Sequence, residues 1–159
     1  MTESPEQQAR DRALRTAANV LQYRQRSARA LYDRLLEKGL EPELAEYAVE
    51  RLQQLGYLND AEYGRLLVRE LSARGYGAGR IRQELREKKL ESEALEAAME
   101  DYQADPERLR RYIEGKLRGQ APDRRMLKKV SDGLFRRGFS WEEIRAALRR
   151  YADQLEDTE

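Results

Sequence analysis

The side chains able to do chemistry in this sequence are mostly cationic, and they come in groups. Tyr23, Arg24, Arg26 and Arg29 form the first, Arg80, Arg82, Arg86 and Lys88 the second, and Arg124, Arg125, Lys128, Lys129, Arg136 and Arg137 the third. Guanidinium and ammonium groups at this density neutralise phosphates or complement the acidic surface of a protein polymer. They are poor nucleophiles and poor proton carriers at neutral pH. The 159 residues include no His and no Cys. That excludes thiolate metal sites, Cys nucleophiles, Ser-His triads and imidazole acid/base chemistry. The carboxylates Glu142 and Glu143 stand in no catalytic constellation. A non-enzymatic protein with no metal and no cofactor is therefore expected. Gly75-Tyr76-Gly77-Ala78-Gly79 has enough glycine to cradle a phosphate. No strand precedes it and no P-loop pattern follows, so it reads as a tight connector.

The net charge of +1 hides a pattern. Residues 13–40 carry +4 and 41–60 carry −4; 61–90 carry +4 and 91–105 carry −6; 106–139 carry +7 and 140–159 carry −3. Two explanations compete. Acids near helix starts and bases near helix ends complement helix dipoles and keep a surface soluble. That covers Glu41, Glu91 and Glu142 but not the crowding of Arg124, Arg125, Lys128 and Lys129. The sharper reading is a module with segregated basic and acidic faces, built to lie along a charged polymer.

The elements that must position these groups are helices. Four prolines, few β-branched residues and long Ala/Leu/Glu/Arg/Lys segments favour helix throughout. The helices also repeat. Aligned on Gly39, Lys89 and Gly138, Leu31, Ile81 and Val130 lie eight residues before, and Leu35, Leu85 and Leu134 four before. Ala48, Ala98 and Ala147 lie nine residues after, and Leu52, Tyr102 and Tyr151 thirteen after. This spacing predicts a helix, a tight turn and a second helix in each copy. Gly39 and Gly138 suit a left-handed position that ends the first of them, and Lys89 is strained there if the backbone is the same. A further helix precedes each pair, at 13–24, 61–73 and 106–118. Asp60 and Asp105 are the expected N-caps of the latter two, with Pro106 at N1. Ser140 and Glu143 form the expected capping box of the last helix.

The sequence therefore predicts an all-α chain of three tandem three-helix, helix-turn-helix-like repeats at 13–57, 58–104 and 105–155. An elongated, curved module is expected, with residues 1–12 as a disordered arm. No apolar run approaches a membrane span and the N-terminus has no signal-peptide core. A cytoplasmic, soluble monomer that does not engage membranes is expected.

At several places the sequence resembles the RecX family, bacterial regulators of the RecA recombinase. Tyr23-Arg24-Gln25-Arg26-Ser27 with Leu31, Leu35 and Lys38-Gly39-Leu40 is similar to the family's leading signature. Gly56-Tyr57-Leu58-Asn59-Asp60 with Tyr63 resembles its second-repeat opening, and Gly79, Ile81 and Leu85 match the middle signature. Arg136-Arg137-Gly138-Phe139-Ser140 with Ile144 resembles the third. The departures are Ala30-Leu31 after the Arg-Ser pair and Lys88-Lys89-Leu90 in place of a Lys-Gly pair. The resemblance implies tandem three-helix repeats and binding in the groove of the RecA filament on single-stranded DNA. It implies inhibition of ATP hydrolysis, strand exchange and coprotease activity; under that reading the basic groups named above are the expected contacts. Weak non-specific DNA binding is compatible with it. The alternative is a helix-turn-helix repeat protein that binds nucleic acid directly, without RecA.

Overall fold

The computed structural model describes residues 2–157, and among them every regular element is an α-helix. α1 spans Pro5–Tyr23, α2 Ala28–Glu37, α3 Pro42–Gln54, α4 Asp60–Ala73, α5 Ala78–Glu87 and α6 Ser92–Met99. α7 spans Pro106–Leu117, α8 Arg124–Arg136 and α9 Trp141–Asp157. The tandem three-helix order predicted from the sequence is the observed one.

Local chemistry sets the helix starts. Asp105 accepts from the amides of Glu107 and Arg108, with Pro106 at N1. Ser140 and Glu143 form the capping box: Glu143 N donates to Ser140 Oγ at 3.1 Å and Ser140 N to Glu143 Oε1 at 3.0 Å. Two expectations need correction. Asn59, not Asp60, caps α4, accepting from Glu62 N at 3.2 Å; Asp60 is already helical. Its carboxylate instead accepts from Ala28 N at 2.9 Å. Residues 5–12, assigned to a disordered arm, continue α1 toward the N-terminus; Met1 lies outside the described residues. Ser4 accepting from Gln7 N, Pro5 at N1 and Glu6 in the first turn favour that extension, and Arg10 within it lies 5.2 Å over the Tyr47 ring of α3.

The three turns aligned in the sequence are the same structure. In the first, Lys38 N donates to Arg34 O, Gly39 N to Leu36 O and Leu40 N to Leu35 O. The same bonds recur at Lys88-Lys89-Leu90 and at Arg137-Gly138-Phe139. The middle residue is left-handed each time, with φ of +94° at Gly39, +62° at Lys89 and +99° at Gly138. Lys89 thus adopts the conformation its side chain disfavours.

The chain packs as two compact units. The first comprises residues up to Leu67 with Glu84–Glu100, the second Val68–Gln83 with the chain from Asp101. The core of the first joins Ala13, Ala17 and Val20 of α1 to Leu31 and Leu35 of α2 and to Ala45, Ala48 and Leu52 of α3. The core of the second joins Leu109, Ile113 and Leu117 of α7 to Val130 and Leu134 of α8 and to Ile144, Ala147 and Tyr151 of α9. The apolar stripe positions sit inside, as the 3.6-residue period requires. Leu31, Leu35, Ile81, Leu85 and Leu134 are fully buried. In the second unit Tyr151 Oη donates to Gln120 O at 2.8 Å and so ties the longest interhelical linker to α9.

Two contacts between successive repeats share one plan. In the first unit, the buried N-cap Ser27 accepts from Ala30 N at 3.1 Å and donates to Lys88 O at 2.8 Å. In the second, Gly77 N donates to Arg137 O at 2.7 Å and Gly79 N to Gly138 O at 3.0 Å. In each, the start of one repeat's second helix rests on the next repeat's turn. The approach is close: a Cβ on Gly77 would lie 2.7 Å from Gly138 C.

Candidate binding surface

The first unit gathers part of the first two basic groups. Tyr23 ends α1 at 89% exposure. Arg24, in extended backbone, and the half-buried Arg26 lead from α1 to α2. A cleft of about 250 Å³ brings Arg24, Arg26 and Lys88 together with Arg34 and Lys89. Asp33, Glu37 and Glu87 also line it, so it holds five cations and three anions. Arg26 Nε is buried and unpaired, and burial, then Arg24 and Arg34, lower the guanidinium pKa. An arginine remains charged at neutral pH even so. Arg29 faces elsewhere, pairing with Asp33 at 3.3 Å and lying 5.3 Å over the Tyr32 ring. Arg86 is exposed in the last turn of α5.

In the second unit Arg80 and Arg136 border a cleft of about 380 Å³ floored by Phe135, Gly138 and Phe139. Arg80 also lies 5.4 Å over the Tyr76 ring, and Arg82 is half-buried on α5. Arg124, Arg125, Lys128 and Lys129 are all exposed on α8, and Lys128 pairs with Asp132 at 3.3 Å. Lys129 and Arg136 share a third cleft, of about 270 Å³, with Tyr112 and Lys116. Arg137 differs. It is half-buried, lies 5.1 Å over the Tyr112 ring, and its Nη1 donates to Arg74 O at 3.4 Å. Both contacts lie within its own unit.

Several participants escape sequence reasoning. Lys89 Nζ meets Asp33 Oδ2 at 2.6 Å across 56 residues of chain. Phe135 and Trp141 stack with centroids 4.6 Å apart and remain about half exposed. The one available signal was that neither residue belongs to the apolar stripe of its helix. No group of His, Cys, Asp or Glu able to hold a metal occurs among the described residues. Nor is any described helix long and apolar enough to cross a membrane.

The Lys89–Asp33 contact makes a prediction. The hydrogen bond from Lys89 lowers the Asp33 pKa below the usual carboxylate value, against a smaller opposing effect of burial. A depressed carboxylate pKa stabilises the fold above the unfolded value, and that contribution disappears as pH falls through the folded value. Asp33→Asn is therefore expected to lower stability near pH 7 by less than about 1 kcal/mol, as for exposed pairs. The difference should vanish in acid, below the folded pKa. Urea unfolding at neutral and acidic pH checks it; an equal loss at both would remove the ion pair as the cause.

Sequence comparison places this geometry in a lineage. Models of the first, second and third three-helix domains of RecX match residues 9–52, 59–99 and 103–148, in that order. The chain belongs to the RecX family. Regulatory protein RecX of Xanthomonas oryzae pv. oryzae (strain MAFF 311018) is 40% identical over 135 residues, 84% of either chain. RecX of Stenotrophomonas maltophilia (strain R551-3) is 36% identical over 135 residues, 84% of this chain and 83% of that one. The crystal structure of RecX from Lactobacillus salivarius superposes with a TM-score of 0.82 at 20% identity, covering 91% of this chain and 97% of that one. A second crystal structure, of regulatory protein RecX, gives 0.76 at 24% identity over 93% and 79%. At such identities these structures establish the shared fold.

Proposed function

We propose that this RecX-family chain binds in the groove of the RecA filament on single-stranded DNA and inhibits ATP hydrolysis, strand exchange and coprotease activity. It would thereby modulate recombination and the SOS response. The observation that carries this reading is the exposed α8 cluster Arg124, Arg125, Lys128 and Lys129, which no core or capping role employs. The first unit carries exposed cations of its own, Arg24, Arg86 and Lys88 among them. Small electrostatic contacts distributed over a repeat protein add up along a repeating polymer. Occupying a groove obstructs incoming DNA with no catalysis.

Reversing all four α8 charges to Glu should raise the concentration needed to inhibit the DNA-dependent RecA ATPase by at least about tenfold, equivalent to about 1.4 kcal/mol. Circular dichroism of the variant should be unchanged, because none of the four side chains is buried. Full inhibition by the folded variant would overturn the role of α8. Steep salt-dependent DNA affinity in the absence of RecA, with no effect on its ATPase, would instead make the chain a direct nucleic-acid binder.

A further inference from the structure

We propose that the α2–α3 turn, Lys38-Gly39-Leu40, is a docking edge for the first turn of a helix in a partner protein, one opening with two small residues. Each repeat has one such turn between its second and third helices, and two of these three are occupied by the helix start of the preceding repeat. Ser27, followed by Ala28, rests on the turn at Lys88-Lys89. Gly77, followed by Ala78, rests on the turn at Arg137-Gly138. Both occupants are helix starts that present a small residue and a donor to the turn carbonyls. The third turn has no such occupant. Lys38 and Gly39 are exposed, and no described residue donates to their carbonyl oxygens. No atom lies within 4 Å of a Cβ built on Gly39, whereas one on Gly138 would collide with the Arg80 backbone. Leu40 is half-buried where Leu90 and Phe139 are buried.

The precedents also specify what fits. Glu37 and Glu41 flank the open turn as Glu87 and Glu91 flank the occupied one in the first unit. These carboxylates suit the positive end of a helix dipole. Both precedents follow a small N-cap, Ser27 or Gly77, with alanine, and the bonds to the turn come from Ser27 Oγ, Gly77 N and Gly79 N. None of the chain's other helix starts follows a small N-cap with alanine: α8 opens on Asp123-Arg124, α9 on Ser140-Trp141, and α1 on Ser4-Pro5, where a pyrrolidine ring stands in place of the alanine methyl. A second copy of this chain is therefore a poor occupant, and a helix of another protein is the fitting one.

The test uses the RecA filament as the partner and so rests on the function proposed above. Gly39→Arg puts a bulky side chain on the edge. Gly56→Arg is its control, because Gly56 also has positive φ, +81° against +94°, and open space around its Cβ. Gly39→Arg should raise the concentration for half-inhibition of the ATPase by about tenfold or more, and Gly56→Arg by no more than about twofold, the usual range for a surface change. Thermal unfolding of the two variants should agree. Equal inhibition by both variants would overturn the docking edge while leaving the filament reading intact; failure of the unmodified protein to inhibit would overturn both. A second measurement does not depend on the strained glycine. The chain has no cysteine, so Lys38→Cys carries a short photo-crosslinker at one defined place. Crosslinks should map to the first turn of a RecA helix beginning with small residues. Crosslinks to another copy of this chain, to DNA, or to RecA surfaces remote from a helix start would each overturn the assignment.

Discussion

Gly138→Ala is expected to lower stability by about 3–5 kcal/mol, several times the loss from the same change at Gly39. Both residues are left-handed, so both substitutions place a Cβ in a conformation that costs an L residue roughly 1–2 kcal/mol. At Gly39 that is the whole effect, because the space around it is open. At Gly138 the methyl meets the Arg80 backbone nitrogen, which belongs to the helix start seated on this turn. The start must move away. Gly77 N–Arg137 O and Gly79 N–Gly138 O then lengthen or break, each bond contributing about 1 kcal/mol net. Phe139, buried beside the turn, loses packing as well. Urea midpoints for the pair of variants measure the difference directly. Equal losses at both sites would mean that the seated helix start contributes nothing to stability.

Ser27→Ala carries the second large expectation, a loss of about 2–3 kcal/mol. The hydroxyl is buried and serves both ends of one contact, accepting from Ala30 N and donating to Lys88 O. Removing an N-cap costs about 1 kcal/mol, and losing the part-buried bond to Lys88 O costs about 1–2 kcal/mol more. Ser4→Ala is the matched control, because Ser4 caps α1 with the same 3-residue bond but is exposed. Its loss should stay at or below about 1 kcal/mol. Guanidinium unfolding followed by circular dichroism gives both values. A loss at Ser27 no larger than at Ser4 would show that the Lys88 bond is dispensable.

These two variants divide what can be read from a linear sequence from what cannot. The helices, their repetition and the residues they bury were legible, because burial of a helix face imposes a 3.6-residue period on apolar residues. Leu35, Leu85 and Leu134 register that period in each copy. The left-handed turns were legible from Gly39 and Gly138, since only glycine adopts that backbone without strain. The identity of the capping residue was less secure. Asn59 and Asp60 are both good caps, and the choice follows from the demand for the Asp60 carboxylate at Ala28 N, 32 residues away. The N-terminal arm was misjudged because a polar composition was taken for disorder, although Ser4, Pro5 and Glu6 form a sound helix start on their own.

The basic surface was only half legible. Arg and Lys positions are plain in the sequence, yet their partners depend on residues distant in the chain. Arg137 and Arg136 match the pattern equally in the sequence, and only the structure shows that Arg137 also meets Tyr112 and the Arg74 carbonyl. Lys89 looked like a flaw in a repeat and proves to be one end of an ion pair with Asp33.

By itself the sequence determined the all-helical class, the threefold repeat, the buried stripe and the alternation of basic and acidic segments. All of these arise from local periodicity and composition, which the linear order preserves. Only the tertiary structure decided which cations are engaged, that Ser27 and Gly77 seat on the turns of the following repeats, and that the turn at Gly39 is open. Those outcomes depend on contacts between residues dozens of positions apart, and the geometry of such contacts is fixed only when the helices pack.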